Sequence, residues 1–336
     1  MTIIKVDGLV KEFRRPRRIN GRFGALRTLF TQQHTVTRAV DEISFSLNEG
    51  ELVGYLGPNG AGKSTTIKML TGILQPTAGE LLVSGIVPWR ERPRNALNIG
   101  VVFGQRTQLW WDLPLRDSLE LIGKLYGVET SRHAANTASF TDLLGLQPFL
   151  ETPVRQLSLG QRMRGDLAAA MIHEPRILYL DEPTIGLDVV AKARIRAFIS
   201  ELNQQRGTTV ILTTHDLDDV EQLCRRILLI DEGRVLYDGD VAALKTRYAP
   251  HRRLIVHLAE GANWNGIDVA GVDTEKDVPN TPPGQVVLRF DPDTTSVSRV
   301  VGAVLDRHHV SDLSFAEPDL EGVVHRIYSS GDRELP

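Results

Sequence analysis

The chain has 336 residues, of which 41% are hydrophobic and 24% charged, and its formal net charge is -3 at pH 7. This ordinary globular composition gives room for about two domains. Its single cysteine, Cys224, excludes an internal disulfide and fits a small buried apolar residue at a helix end. No apolar run approaches the ~18 residues of a spanning helix, and the N-terminus lacks a signal-peptide pattern. We therefore expect a cytosolic chain, unless a partner holds it at a membrane.

The first predicted elements are strands. Residues 1–10 alternate in hydrophobicity, and Val36 to Leu47 and Glu51 to Leu56 also have strand patterns, so a small β layer opens the chain. A basic insert, residues 14–35, interrupts this layer with apolar residues at helical spacing among arginines. It fits a membrane-surface or partner-binding segment, or a solvated loop.

The stretch Gly57 to Thr65, GPNGAGKST, separates a predicted strand from a predicted helix and fits the P-loop pattern. Glycines let successive backbone N–H groups point at phosphate oxygens, and the helix N-terminus adds partial positive charge. Lys63 would place a charge at the phosphates, and Ser64 would be a magnesium ligand. A glycine-rich turn without a ligand is the alternative. The residues predicted to bind nucleotide here are Gly57, Asn59, Gly60, Gly62, Lys63, Ser64 and Thr65.

Gln105 directly follows Ile99 to Phe103, a run typical of a buried strand. An amide at that strand end, beside the phosphates, would hold a water or a magnesium ligand. Helical patterns without a strand fill residues 110–157, which predicts an inserted helical subdomain over about 106–160. At its end Ser158 is a natural N-cap, so a second helix N-terminus suited to phosphate follows.

Two further strands end in residues suited to phosphate chemistry. Ile177 to Leu180 leads into Asp181 and Glu182, which in a P-loop protein form a Walker B pair that reaches magnesium and polarises the attacking water. His215 follows the strand predicted over residues 208–213, on the edge of the sheet where ligands bind, and would hydrogen-bond the γ-phosphate. Acids at a strand end are also common as helix caps, and a lone histidine is often a surface residue.

From about residue 249 the pattern changes. Alternating strand patterns at 254–258, 286–290 and 310–315 are interspersed with helical stripes at 297–305 and 320–328. We predict a small separate α+β domain over 249–336, after a main domain over 1–248. The C-terminal region has no acid pair, glycine-rich loop or histidine cluster, so we expect it to serve regulation or interaction.

Together these motifs resemble the nucleotide-binding subunit of an ABC transporter over about residues 1–245. The resemblance implies an α/β P-loop NTPase fold with an antiparallel β subdomain and an inserted helical subdomain. It also implies ATP and Mg²⁺ at a head-to-tail dimer with a second copy or a homologue, each ATP lying between one P-loop and the partner's signature turn. In that dimer Ser158, Gly160 and Gln161 would contact the partner's nucleotide, and Phe13 would stack on adenine. Gln105, Asp188 and His215 would be the Q-loop, D-loop and switch residues.

The runs VVFGQRTQLWWDLPLRDSL and EPDLEGVVHRIY further resemble ATPase subunits of bacterial type 2 ABC export systems. That resemblance implies separate integral membrane permease subunits and a peripheral location on the cytoplasmic side of the membrane. An importer ATPase would share every site residue. A soluble ABC ATPase acting on nucleic acid or ribosomes is the other alternative, but the chain has neither an inserted coiled coil nor a second ATPase module. We expect no nucleic-acid partner.

Overall fold

The structure is a computed structural model that describes residues 1–16, 34–104, 106–248, 251–275, 282, 284–292, 294–316 and 320–330. Contacts divide the chain into two compact units, Met1–Gly239 and Asp240–Asp332. The boundary predicted between residues 248 and 249 lies one helix later than this division. None of the helices in the described ranges is long and apolar enough to span a membrane.

An antiparallel sheet of the first unit has the order β2-β1-β4. Its strands are β1 (Thr2–Pro16), β2 (His34–Asn48) and β4 (Ala78–Val83). The strand predicted over residues 1–10 was too short, because β2 continues to pair with β1 as far as the contact between Pro16 and His34. The ends of the predicted basic insert are therefore strand, and residues 17–33 lie outside the described ranges.

A six-stranded sheet of the first unit has the order β5-β6-β7-β3-β8-β9, and its strands from β5 to β8 are parallel. Most residues of its central strands are buried, because helices and the other sheet cover both faces. The parallel strands end at one edge, where Gly57, Glu182 and Thr214 follow them. The strands are β3 (Leu52–Leu56), β5 (Ile99–Phe103), β6 (Ile177–Asp181), β7 (Thr209–Thr213), β8 (Arg226–Asp231) and β9 (Arg234–Asp240).

Helices connect the strands of the first unit. Between β5 and β6 the described residues form helices and no strand, as predicted for the inserted subdomain. Two short 3-10 helices, Gln147–Phe149 and Val154–Gln156, lie in the same region. The helices are α1 (Lys63–Leu70), α2 (Arg92–Asn98), α3 (Leu115–Leu125), α4 (Thr130–Leu144), α5 (Leu159–Met171), α6 (Val189–Arg206) and α7 (Leu217–Leu223).

One apolar core joins the two sheets of the first unit. It combines residues of the antiparallel sheet, such as Leu9 and Val83, with Tyr55 and Tyr179 of the parallel sheet and Ile67 of α1. Burial of this apolar area stabilises the edge of the sheet from which the site residues project. Cys224 at the end of α7 is buried as predicted, and burial raises the pKa of its thiol.

The second unit is α+β, as predicted. Its four-stranded sheet has the order β11-β12-β10-β13 and packs Leu254, Leu288 and Phe290 against Val300 and Val304 of one helix. Its elements are α8 (Val241–Tyr248), β10 (Arg252–Leu258), β11 (Val272–Glu275), β12 (Gln285–Phe290), α9 (Val297–Arg307), β13 (Val310–Ala316) and α10 (Leu320–Ser330). α8 packs against α10 within this unit.

Candidate nucleotide site

The turn between β3 and α1 requires glycine at two positions. A Cβ atom on Gly57 would lie 2.4 Å from the Ile230 carbonyl oxygen. Gly62 has φ +103°, and a Cβ atom there would lie 2.5 Å from the Ala39 carbonyl oxygen. Any other residue would collide with backbone at either position, so the tight curl of this loop depends on both glycines. Of the remaining predicted residues, Asn59 and Gly60 are exposed and Thr65 is half-buried.

Lys63 is folded back onto this loop. Its ammonium group donates to the Gly57 carbonyl oxygen and, at 3.1 Å, to that of Pro58, and the residue is only 7% exposed. Burial lowers the pKa of Lys63, whereas the carboxylates of Glu182 and Asp181 act to raise it. The loop therefore holds a lysine charge inside its own curl, close to two acids.

Asp181, at the end of β6, contacts the first turn of α1. Ser64 Oγ donates to Asp181 Oδ2 at 3.3 Å, and Thr213 Oγ1 donates to Asp181 Oδ1 at 2.6 Å. Thr213 ends the neighbouring strand β7, so the donors come from both sides of the carboxylate. A hydroxyl and a carboxylate in contact are hard oxygen ligands of the kind that Mg²⁺ prefers.

Glu182 and His215 form a pair beside these residues. Glu182 Oε1 lies 2.6 Å from His215 Nε2, and the Glu182 N–H donates to the Thr213 carbonyl oxygen at 2.9 Å. Glu182 has φ +57°, a left-handed conformation that costs a non-glycine residue on the order of 1 kcal/mol. The surrounding bonds hold this carboxylate in a strained turn at the edge of the sheet, in the same cleft as Ser64 and Asp181.

Gly104 places the chain after β5 directly against the acids. Its N–H donates to the Asp181 carbonyl oxygen at 2.7 Å, and a Cβ atom there would lie 2.6 Å from the Glu182 carbonyl oxygen. The next residue, Gln105, lies outside the described residues, so its predicted role stays a prediction. Gly104 was not predicted as a site residue, because a glycine after a strand gives no sign of this contact in the sequence.

The predicted signature turn forms a self-contained helix start. The Gln161 N–H donates to Ser158 Oγ at 3.2 Å, and the Ser158 N–H donates to Gln161 Oε1 at 2.8 Å, which is a capping box. Gly160 lies near α6, where Asp188 Oδ1 accepts from the Ala191 N–H at 2.8 Å. Among the described residues, no hydrogen bond or ion pair joins this turn to the P-loop. The structure thus brings Ser64, Asp181, Glu182 and His215 together and leaves the signature turn apart.

Phe13 lies in β1 opposite Thr37 and is half-buried. The Lys11 ammonium lies 5.4 Å from the centre of its ring, which is a cation–π distance. Lys11 also donates to the Gln75 carbonyl oxygen at 2.7 Å. One face of the predicted adenine-stacking ring therefore has a lysine neighbour.

A family model described as "ABC transporter" matches residues 40–185. The chain is 33% identical over 287 residues to the linearmycin resistance ATP-binding protein LnrL of Bacillus subtilis, with 84% of this chain and 91% of that protein covered. The chain belongs to the ABC transporter ATP-binding proteins. ATP binding and hydrolysis are the general activity of this ABC ATPase family.

Two further ABC proteins extend the comparison. The chain is 30% identical over 306 residues to the methionine import ATP-binding protein MetN of Latilactobacillus sakei, with 88% of this chain and 86% of that protein covered. The structure of cbiO1 from Clostridium perfringens, described as part of the ABC transporter complex cbiONQ, matches with a TM-score of 0.58 and 27% identity. That match covers 71% of this chain and 88% of cbiO1, and it confirms the predicted ABC ATPase fold.

Proposed function

We propose that this ABC ATPase drives export through separate membrane permease subunits, working as a head-to-tail dimer on the cytoplasmic side of the membrane. One observation supports the dimer: the P-loop and the acids form one contact network, and within the described part of the chain the signature turn has no bond to it. A nucleotide that needs both would take the signature turn from a second chain, so one chain supplies half of each of two sites.

The residues present fit ATP and Mg²⁺. Gly57 and Gly62 let the loop curl tightly against neighbouring backbone. In this curl the backbone N–H groups of the loop would approach phosphate closely. Ser64 Oγ and Asp181 Oδ2 form the oxygen pair that would hold Mg²⁺, directly or through water. When bound there, Mg²⁺ would neutralise negative charge on the nucleotide's phosphates.

The protein's own groups then have distinct tasks. Lys63 would exchange the carbonyl oxygens of Gly57 and Pro58 for phosphate oxygens, which carry more negative charge. Glu182 would orient the attacking water and accept its proton, while His215 holds the carboxylate and donates to the γ-phosphate. Ser158 and Gly160 of the second chain would add hydrogen bonds and helix-end charge.

Two similar proteins have names that give opposite directions of transport. LnrL is named for linearmycin resistance and aligns with 84% of this chain, which favours export. MetN is named for methionine import and aligns with 88%, so import is the second candidate function. Transport assays on vesicles containing the complete complex, in both orientations, decide between them.

The ATPase mechanism is tested by Glu182→Gln. We expect ATP binding to persist and turnover to fall to about a hundredth or less, because the general base is lost while the shape of the site is kept. The variant also accumulates as an ATP-bound dimer in gel filtration. Glu174→Gln is a matched control, because Glu174 is another left-handed glutamate, φ +52°, paired with Arg132 and Arg206. Turnover near wild type in Glu182→Gln would refute the assignment.

A further inference from the structure

A fully buried carboxylate lies behind the Glu182–His215 pair. Asp219, on α7, is 0% exposed. Its Oδ2 accepts a short hydrogen bond from Thr184 Oγ1, and its Oδ1 lies 2.5 Å from Arg196 Nε, which donates to it. Thr214 Oγ1 lies 3.5 Å from Oδ2. None of these side chains belongs to the nucleotide motifs of the sequence.

Two of the partners of Asp219 are close in sequence to the two predicted functional residues. Thr184 is two positions after Glu182, and Thr214 is the residue before His215. On the other side of His215, Asp216 Oδ2 accepts from the Lys192 ammonium at 2.5 Å, and its N–H donates to Thr214 Oγ1 at 3.0 Å.

Helix α6 provides the opposite charges of this cluster. Arg196 contacts Asp219 and lies 3.8 Å from Asp216, so one guanidinium joins both acids of the His215 segment. A buried carboxylate is strongly destabilising without such partners, and removal of one partner leaves a charge uncompensated. The cluster therefore fixes the position of Thr184 and of the start of α7 relative to the same helix.

The backbone of Glu182 is in a strained conformation that contacts such as those of the Asp219 cluster must hold. Its left-handed backbone, φ +57°, persists only where neighbouring contacts hold the turn. Thr184 is the next hydrogen-bonding side chain in that turn, because Pro183 follows Glu182. The bond from Thr184 to Asp219 thus ties the strained turn to the helix that begins just after His215.

We propose that Asp219, held by Arg196, is a positioning residue that keeps Glu182 and His215 in contact through Thr184 and Thr214. The inference rests on the proposed roles of Glu182 and His215 in ATP hydrolysis. In the part of the chain that the structure describes, Asp219 has no hydrogen bond or ion pair with a predicted nucleotide residue. It acts by setting where the carboxylate and the imidazole stand, and a displacement of about 1 Å at such groups can cost about a hundredfold in rate.

The test compares Thr184→Val with Thr184→Ser in the full chain. Valine has nearly the shape of threonine but cannot donate to Asp219, whereas serine keeps the donor. We expect kcat for ATP hydrolysis to fall about ten- to a hundredfold in Thr184→Val, with the KM for ATP unchanged. Thr184→Ser should restore most of kcat. The number of nucleotide sites per chain, titrated with a non-hydrolysable ATP analogue, should be unchanged in both.

A second variant covers the case in which Thr184→Val does not fold. Arg196→Lys keeps the charge that compensates Asp219 but replaces the guanidinium that joins Asp219 and Asp216 by a single ammonium, and we expect the same fall in kcat at constant KM. Wild-type kcat in the folded variants, a rise in KM instead of a fall in kcat, or an equal loss in Thr184→Ser would each overturn the proposal. Glu182→Gln, assayed in parallel, distinguishes failure of the positioning role from failure of the proposed mechanism. If it is inactive while Thr184→Val is fully active, only the positioning role fails; if it is active, the proposed mechanism itself fails.

Discussion

The P-loop half of the candidate site and the signature turn differ in what holds them. Ser64, Asp181, Glu182 and His215 are bonded to one another and to the central sheet. Among the described residues, the signature turn is bonded to its own helix, between Ser158 and Gln161 and from Arg164 Nε to the Gly160 carbonyl oxygen, and has no bond to the P-loop. Both offer helix N-termini to a phosphate, but one is assembled within the chain and the other is presented outward. This difference favours a site that is completed between two chains.

Loss of the Lys63 charge should have the largest effect. In Lys63→Met we expect the affinity for ATP to fall about a hundredfold or more, because the charge-assisted bonds to phosphate disappear. The fold should lose little stability, because relief of the cost of burying the ammonium offsets the loss of its hydrogen bonds to Gly57 and Pro58. Thermal unfolding with and without ATP measures both effects. Lys124→Met, at an exposed lysine on α3, is the control. ATP-dependent stabilisation that survives in Lys63→Met would contradict the role of the loop.

A carboxylate in the signature turn should abolish hydrolysis without affecting the fold. Gly160 tolerates a side chain, because its Cβ atom would meet Ala191 Cβ at an ordinary 3.5 Å. In Gly160→Asp we expect ATP to bind the P-loop normally, while hydrolysis is lost because the new charge repels the partner's phosphate.

Mixed dimers test whether the P-loop of one chain combines with the signature turn of the other. A dimer of Lys63→Met with Gly160→Asp combines one intact P-loop with one intact signature turn at a single site. We expect the mixture to hydrolyse ATP although neither variant does so alone. A phosphate-release assay over a series of mixing ratios measures this complementation. Two inactive variants that stay inactive when mixed would show that the halves do not combine between chains.

A methyl group on Gly104 should destabilise the P-loop half of the candidate site. Its Cβ atom would lie 2.6 Å from one backbone oxygen and 2.8 Å from another, so the segment after β5 must shift. We expect Gly104→Ala to lose about 1–3 kcal/mol of unfolding free energy. Gly160→Ala, in the same unit, meets only ordinary contacts and should lose less. Urea denaturation midpoints compare the two, and equal midpoints would remove the steric argument.

The smallest effect concerns Asp166, which links the helix of the signature turn to the chain after β5. Its Oδ1 accepts from Thr107 Oγ1 at 2.9 Å and from the Gln108 N–H at 3.0 Å. Burial raises the pKa of this carboxyl from 3.8 to about 6. The folded state therefore binds the Asp166 proton more tightly than the unfolded state does. The free energy of unfolding that this proton contributes is lost as pH rises from 3.8 through about 6.

Asparagine keeps both hydrogen bonds of Asp166 and does not titrate. We expect Asp166→Asn to gain about 1 kcal/mol over the wild type between about pH 5 and about pH 8, measured by chemical denaturation at each pH. A stability difference that is constant across this range would mean that Asp166 has an ordinary pKa. The control is Asp142→Asn, at an exposed acid on α4.

The parts of the molecule that could be predicted are those whose structure is determined by a few neighbouring residues. The P-loop, the Ser158 cap and the buried strand before Asp181 each carry their chemistry in consecutive residues, and the ABC ATPase fold followed from their order. The extension of β1 to Pro16 was not predictable in this way, because an arginine- and proline-containing end becomes strand only by pairing with β2.

The Asp219 cluster could not be predicted from the sequence, because its members are far apart in the chain. Thr184 and Arg196 are 35 and 23 residues from Asp219 in the chain, and their contact depends on how α6 packs beside α7. In sequence, Asp218 and Asp219 resemble ordinary acids in the first turn of a helix. A charged residue on the inward stripe of α7, four positions after His215, was the signal available.

The capping box at Ser158 has a consequence for how the second chain can be recognised. The Ser158 oxygen already accepts from the Gln161 N–H, and the amide of Ser158 is occupied by the Gln161 side chain. The hydroxyl can still donate its proton, and the backbone amides at the start of this helix are donors as well. The outer surface of this turn therefore presents mainly hydrogen-bond donors, which favours an oxygen-rich anion over a basic side chain of the facing protein.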